Sequence, residues 1–480
     1  MSVAITQYKN YVGGEWVESS SGETMPVLNP STGETIAEVP RGNAEDVTRA
    51  VTAAMKALPE WLEKTPKDRM ELLLALADVI DENAEELVQL ESQNVGKPMS
   101  IARDEMPFSA DNLRFFAGAA RNLEGKAAAE YVEGYTSIIR REPLGVVAGI
   151  TPWNYPLMMM VWKLGPALAG GNISIIKPAE QTPLSTLRFA ELAQDVLPPG
   201  VFNVITGDGI PVGDGLVRHP DIRLVSLTGD IETGKTIARN AADTLKRVHL
   251  ELGGKAPMVV LDDADPEQVA EAIKIGGFWN SGQDCTASSR ILVSERIYDD
   301  VMSATVSVIE AMKTADPADG EDVDMGPVIS QEQRERVLGF LERLPAHATV
   351  VTGGESVGDR GFFVKPTIVA DVNQDDEIVQ REVFGPVVSI QRFASDDDAL
   401  AMANGTRYGL AASVFSRDVG RALAAAKKLE FGTVWVNEHL FPLSSEMPHG
   451  GFKESGYGKD MSIYSMEEYT RVKHVAVKLG

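Results

Sequence analysis

Between Gly145 and Asp265 the chain alternates short apolar runs with stretches of helical composition. The runs are Val146–Ile150, Ile173–Ile176, Phe202–Ile205, Leu224–Leu227 and Met258–Leu261, and helix-like segments such as Leu184–Val196 and Gly234–Leu245 separate several of them. Strand, helix, strand, helix reads as a parallel sheet with crossover helices. Such a sheet gathers ligands beyond the carboxyl ends of its strands, so a nucleotide site is expected here. A second alternating region follows. Helix-like Pro266–Asn280, Glu295–Thr314 and Gln331–Leu344 are interspersed with strand-like Ile291–Val293, Phe362–Val369, Val387–Phe393, Ala412–Phe415 and Thr433–Val436. They predict a second α/β domain of around 200 residues.

Upstream, Met70, Leu73, Leu74, Ala77, Ile80, Ala84, Leu87 and Val88 recur at helical spacing and predict one amphipathic helix over Lys67–Glu91, with more helix to about Asn122. Tyr135–Arg141 reads as a strand after a turn at Gly134. The tail Val472–Leu479 reads as a strand that either pairs with another subunit or joins a sheet of its own chain. Charge narrows the partners: 45 Lys and Arg against 70 Asp and Glu give a net charge of -25, which excludes a protein that tracks a nucleic-acid backbone. The most apolar segments, Leu144–Ile150 and Pro156–Leu164, are short and broken by Pro or Lys, so no membrane span is expected. Met1–Asn10 lacks a secretory pattern, and one unpaired thiol fits a reducing compartment, so cytoplasm is the expected location.

That thiol is Cys285, the only cysteine, in Gly282-Gln-Asp-Cys-Thr-Ala287. Small polar neighbours suit an approachable turn. A free cysteine is most often a small buried hydrophobe, but covalent chemistry becomes the better reading where a base, an oxyanion donor and an electron acceptor accompany it. Glu251-Leu-Gly-Gly sets a carboxylate before two glycines, as a mobile base requires; the alternative is one solvated acid among 70. Asn154, in Thr151-Pro-Trp-Asn-Tyr-Pro, can donate to an oxyanion; the alternative is that Pro152 and Pro156 only shape a loop. Lys177-Pro-Ala-Glu180 ends a strand, where Glu180 and Lys177 can bind a ribose or simply form a surface ion pair. In Thr228-Gly-Asp-Ile-Glu-Thr-Gly-Lys, Gly229 and Gly234 permit close approach of phosphate to a helix N-terminus, or mark a plain strand-to-helix turn.

In this order the motifs resemble the NAD(P)-dependent aldehyde dehydrogenase superfamily. The resemblance runs from Tyr11-Val-Gly-Gly-Glu-Trp and Asn29-Pro-Ser-Thr-Gly-Glu through Glu382-Val-Phe-Gly-Pro to Pro448-His-Gly-Gly-Phe-Lys-Glu-Ser-Gly-Tyr-Gly. Leu227-Thr-Gly-Asp, the Cys285 motif, Glu446-Met-Pro-His-Gly-Gly and Ser455-Gly-Tyr-Gly-Lys-Asp-Met-Ser look most like the γ-aminobutyraldehyde branch, with betaine aldehyde dehydrogenases as near relatives.

The resemblance implies an α/β fold in three parts: a Rossmann-type NAD-binding domain (1–122 and 142–250), an α/β catalytic domain (251–460) and a small β oligomerisation arm (123–141 and 461–480). It implies a homotetramer built as a dimer of dimers. The implied reaction is NAD-dependent oxidation of 4-aminobutanal through a cysteine thiohemiacetal and thioester. Alternatives are a betaine or broad aliphatic aldehyde dehydrogenase, and a non-catalytic member of the fold. Cys285 would be the nucleophile, Glu251 the deacylation base, Asn154 with the Cys285 N–H the oxyanion donors, and Lys177 a further catalytic group. NAD would take Thr151, Pro152, Trp153, Lys177, Pro178, Ala179, Glu180, Gly213, Gly229, Asp230, Ile231, Thr233, Leu252, Glu382 and Phe384. The small-molecule substrate would take Asp111, Tyr155, Trp162, Trp279, Glu446 and His449. No metal is expected. One departure from the wider superfamily stands at Asp230, where a small hydroxyl residue is common: an acid facing pyrophosphate is repulsive, so Asp230 either caps the helix or contacts a bridging group.

Overall fold

The strands Val146–Ile150, Ile173–Lys177, Phe202–Val204, Ile222–Gly229 and Arg247–Leu252 form the parallel centre of an eight-stranded sheet in the computed structural model, which describes residues 5–123 and 128–480. The chain enters this sheet in the middle, at Val146–Ile150, and steps outward through Ile173–Lys177 to Phe202–Val204. It then returns to the other side of the first strand with Ile222–Gly229 and Arg247–Leu252. The reversal leaves a crevice beyond the carboxyl ends of Val146–Ile150 and Ile222–Gly229, the position where open α/β sheets bind ligands. Antiparallel strands close both edges: Asn10–Val12 with Glu15–Val17 on one, Gly456–Tyr457 on the other.

The second sheet has seven strands in the order Thr349–Thr352, Thr367–Ala370, Val387–Phe393, Arg290–Ser294, Pro257–Val260, Ala411–Phe415, Thr433–Val436. All pairs are parallel except the Thr349–Thr352 edge. Met258–Leu261, grouped by sequence with the first region, thus contributes its strand to the second sheet, and Arg247–Leu252, whose Arg, His and Glu hide it as an apolar run, takes the place expected for it in the first. The strand predicted over Phe362–Val369 begins only at Thr367. Before it, Phe362 donates to the Pro30 carbonyl and Lys365 to that of Glu355, and Pro366 has no N–H to give a ladder.

The single helix predicted over Lys67–Glu91 is two, Pro66–Glu82 and Ala84–Val95. Asn83 separates them, its Nδ2 donating back to the Val79 carbonyl at 2.8 Å. That local bond competes with continuing the helix. Thr65 and Asp68 form a capping box at the start of the first helix, which sets its entry.

The tail strand Thr470–Lys478 pairs antiparallel with Tyr135–Pro143 and so joins a sheet of its own chain. Ala129–Val132 completes a three-stranded sheet. Residues 124–127 of the expected arm lie outside the described residues. Tyr131, Val132 and Val472 present their apolar side chains to solvent on this sheet. Among the described residues no helix is long and apolar enough to cross a membrane.

Every residue of the helix Pro156–Ala169 is buried, and a buried ion network anchors its first turn. The Leu157 N–H donates to Glu91 Oε1 at 3.1 Å, and Lys97 Nζ lies 3.3 Å from Glu91 Oε2 and 2.6 Å from Glu105 Oε1. Burial raises the Glu105 carboxyl to about 8 against the pull of Lys97. Removing one partner of a buried set leaves the others uncompensated, typically at ~3–5 kcal/mol. Lys97→Met is therefore expected to lower the unfolding free energy measured by urea titration by ~3–5 kcal/mol, and an unfolding free energy equal to the parent's would refute the network's role.

Candidate active site

Helix Pro266–Phe278 delivers the chain into a strained loop. Asn280, Ser281 and Gly282 follow one another at φ 49°, 60° and 66°, in the left-handed region. The two non-glycine residues each cost ~1–2 kcal/mol there. Buried hydrogen bonds from several segments offset this. Asn280 Nδ2 donates to the Asn154 carbonyl at 3.1 Å, and Ser281 Oγ to the Gly326 carbonyl at 2.9 Å. The Ile329 N–H donates to Gln283 Oε1 at 2.8 Å, while Asn154 Nδ2 donates to the Gln283 carbonyl at 2.9 Å. Next, Asp284 Oδ1 accepts from the Thr286 N–H and Oγ1, both at 2.6 Å, and Asp284 Oδ2 accepts from the Tyr155 hydroxyl at 2.6 Å. The Ala287 N–H closes a turn onto the Asp284 carbonyl at 3.1 Å. Cys285 rides on that turn, partly exposed between buried neighbours, in agreement with an approachable position.

Glu251 sits near the end of strand Arg247–Leu252 and is 0% exposed. It is not a solvated acid. The two glycines after it serve packing rather than the mobility read from sequence. A Cβ on Gly253 would lie 2.3 Å from Glu382 Oε2, and one on Gly254 2.1 Å from the Cys285 carbonyl oxygen. The Gly254 N–H donates to Glu382 Oε1 at 2.8 Å. Burial raises Glu382 to about 7. Phe384, at φ 59°, turns its ring edge-on to Trp153 with centroids 5.1 Å apart.

These groups face one cleft of about 1190 Å³ at the strand-order reversal. It brings together Thr151, Pro152, Trp153, Asn154, Lys177, Ala179, Glu180, Gly213, Gly229, Asp230, Ile231, Thr233, Glu251, Cys285, Glu382 and Phe384. Pro178 and Leu252 stand behind the wall. Pro178 offers its carbonyl to Lys177 Nζ at 2.9 Å, and Leu252 packs against Gly234. Lys177 and Glu180 form an ion pair at 3.1 Å, with the lysine buried rather than on the surface. Thr151 and Thr228 line the cleft with buried hydroxyls that have no protein partner. Asp230 caps helix Ile231–Ala241: Oδ1 accepts from the Glu232 and Thr233 N–H groups at 2.8 and 3.0 Å. Gly234 lies inside that helix, where a Cβ would meet Leu252 at 2.7 Å, so it permits helix–strand contact rather than phosphate approach.

Sequence reasoning missed Asp284, although it adjoins Cys285, and the cleft residues Gln333, Arg336, Arg381 and Arg407. Gln333 and Arg336 are one turn apart on Gln331–Glu342, whose mixed polar sequence looks like any solvated face.

Tyr155, Trp162 and Trp279 gather in one apolar cluster with Phe108, Met158, Met159 and Met461. Trp162 is fully buried, its indole N–H unpartnered. Asp111 and Glu446 meet the same loop, Asp111 accepting from Ser445 Oγ at 2.5 Å and Glu446 from Ser444. None of the six expected substrate residues, Asp111, Tyr155, Trp162, Trp279, Glu446 and His449, lines the cleft. His449 stacks near Trp162, centroids 5.2 Å apart, and turns Nε2 to within 3.6 Å of Glu251 Oε1.

Residues 16–475 match the profile of the aldehyde dehydrogenase family. An NAD-dependent aldehyde dehydrogenase from Sinorhizobium meliloti superposes with a TM-score of 0.96 at 37% identity, over 99% of this chain and 95% of that one. Betaine aldehyde dehydrogenase from Staphylococcus aureus, in complex with NAD+, superposes with a TM-score of 0.95 at 40% identity, over 98% and 95%.

Burial pushes the Cys285 thiol well above its ordinary value, and the carboxylates of Glu251 and Asp284 push the same way. Thiolate is the alkylated form. The pH midpoint for iodoacetamide alkylation of the free protein should therefore lie above that of an ordinary cysteine. Glu251→Gln removes one of these charges and should move the midpoint down. An unchanged midpoint in that variant would show that the carboxylate does not act on the thiol.

Proposed function

The chain belongs to the aldehyde dehydrogenase family, and within it we propose that this protein oxidises 4-aminobutanal, a short aldehyde with a distal amine, to 4-aminobutanoate with NAD+. The observation that carries the reaction is the meeting of Cys285, Glu251 and Asn154 in a cleft at the strand-order reversal. In this reading Cys285 Sγ adds to the aldehyde carbon. The carbonyl oxygen becomes an oxyanion held by the Cys285 N–H and by the Asn154 amide, which has a second hydrogen beyond the one given to Gln283. NAD+, when bound, supplies the two-electron acceptor for the hydride on that carbon. Cys285 is left acylated as a thioester. Glu251 takes a proton from a water, whose oxygen attacks the thioester and expels the thiolate. Aldehyde, NAD+ and water give carboxylate, NADH and two protons.

The cleft suits NAD. The free hydroxyls of Thr151 and Thr228 lie beside the strand ends, and Lys177 with Glu180 would hold the adenosine ribose. Glu180 would repel a 2′-phosphate, which favours NAD over NADP. Asp230 occupies the helix N–H groups that phosphate would otherwise use, so the phosphates must take other donors. Glu382 and Phe384 would position the nicotinamide end. For the amine, the aromatic cluster of Tyr155, Trp162 and Trp279 offers ring faces worth about 0.5–2 kcal/mol to an ammonium, with Asp111 and Glu446 beside it. The similarity to a betaine aldehyde dehydrogenase supports a second substrate, betaine aldehyde. The exposed apolar residues of the three-stranded sheet support assembly as a homotetramer, a dimer of dimers.

Cys285→Ala is expected to abolish aldehyde-dependent NADH formation while NAD still binds. Glu251→Gln should leave a rapid NADH burst and slow the steady state by ~10²–10⁴. Equal loss of both phases would assign Glu251 to thiol activation instead. Among 4-aminobutanal, betaine aldehyde and butanal, the first should show the highest kcat/KM; a preference for butanal would overturn the aminoaldehyde reading. Asp111→Asn or Glu446→Gln should raise KM for 4-aminobutanal and spare butanal, and an equal response would remove those acids from amine recognition.

A further inference from the structure

Glu251, Cys285 and His449 bring a carboxylate oxygen, the thiol sulfur and an imidazole nitrogen within 4.8 Å of one another. Both Glu251 oxygens and His449 Nε2 are buried without a hydrogen-bond partner, in residues only 0% and 5% exposed. Among the described residues Glu251 pairs with no lysine or arginine, and His449 Nε2 lies 3.6 Å from its Oε1. Buried polar atoms are almost always satisfied, so three of them converging on a thiol mark a place built to receive something.

The donor types say what. Thiolate, imidazole and carboxylate are the ligands of zinc, and three protein donors plus one open position are the arrangement of an accessible zinc site. With Zn–S near 2.3 Å and Zn–N or Zn–O near 2.0–2.1 Å, tetrahedral N and O ligand atoms stand about 3.3–3.4 Å apart, and about 3.6 Å from sulfur. The 3.6 Å between His449 Nε2 and Glu251 Oε1 exceeds the N···O spacing by only a few tenths of an ångström, a shift that side-chain rotation supplies. All three donors are held from behind. His449 exchanges backbone hydrogen bonds with Asp460 at 2.9 and 2.7 Å, Glu251 lies in a strand, and Cys285 rides on its braced turn. A thiolate and a carboxylate together neutralise the dication.

We propose that Cys285, Glu251 and His449 bind one Zn2+ per chain, and that the bound ion switches the enzyme off. The Cys285 S–H bond breaks, a Zn–S bond forms and the proton leaves to solvent, with no change of oxidation state. One ion thereby removes the nucleophile and the base together, and a chelator restores both. The inhibitory half rests on the roles proposed above for Cys285 and Glu251; the binding half does not.

Cobalt(II) is the probe for binding, since it reports both geometry and sulfur ligation. Anaerobic titration of the whole enzyme with Co2+ should saturate at one equivalent, with a near-ultraviolet thiolate-to-cobalt band and visible bands of four-coordinate intensity. Zn2+ should abolish them. Cys285→Ser should remove the thiolate band. His449→Ala and the milder His449→Gln should weaken Zn2+ by at least about tenfold in competition with a chromophoric chelator. Unchanged Zn2+ affinity in both histidine variants, or Co2+ bound without the thiolate band, overturns the site. Aldehyde oxidation should be lost with one equivalent of Zn2+ and recovered with EDTA; full activity of the zinc-loaded protein overturns the switch. An enzyme that oxidises no aldehyde would refute the proposed function, and the cobalt spectrum would still decide the site.

Discussion

A side chain at Gly254 would put its Cβ 2.1 Å from the Cys285 carbonyl oxygen, so the segments carrying Glu251 and Cys285 can meet only through glycine. This contact joins the two sheets where they matter. Strand Arg247–Leu252 belongs to the first and Pro257–Val260 to the second, and Gly253 and Gly254 lie between them. The Gly254 N–H also holds Glu382. One crowded dipeptide thus sets the spacing of Glu251, Cys285 and Glu382. Close backbone approach is a use of glycine distinct from turning, and here it excludes every larger residue.

Most parallel strands of both sheets were legible because buried parallel strands are continuous apolar runs, but Met258–Leu261 belongs to the second sheet rather than the first. Arg247–Leu252, broken by Arg, His and Glu, was not legible. The helix break at Asn83 was not, because apolar spacing continues across it and only a side-chain bond to Val79 ends the first helix. The site divides along the same line. Cys285, Glu251 and Asn154 could be named from types and neighbours. What could not be read is how each is held: Asp284 was passed over although its carboxylate ties Tyr155 to the cysteine turn. Glycines were legible as a need for space but not as which space, and Gly234 turned out to serve Leu252.

Buried charges are held in different ways: Arg290 donates to the Lys255, Met402 and Ala403 carbonyls, while others are paired. Lys97 with Glu91 and Glu105, and Lys163 with Asp460 at 3.1 Å, are paired and structural. Glu251 is the carboxylate beside the thiol whose oxygens lack a hydrogen-bond partner. Leaving a buried acid unsatisfied is unfavourable by roughly 1–3 kcal/mol or more. That deficit lies beside the Cys285 thiol.

The tail strand carries a consequence in time. Thr470 pairs with Pro143 and Lys478 with Tyr135, so the strand Tyr135–Pro143 is synthesised long before its partner. At a ribosomal rate of about 5–20 residues per second, the delay is on the order of tens of seconds. Throughout it one edge of that strand is open, the condition under which nascent chains pair with each other. Arg140, Arg141 and Glu142 lie within the waiting strand, and clustered charges on an open edge discourage such pairing. Residues 470–478 therefore close an edge that residues 135–143 leave open for the time needed to make the chain between them.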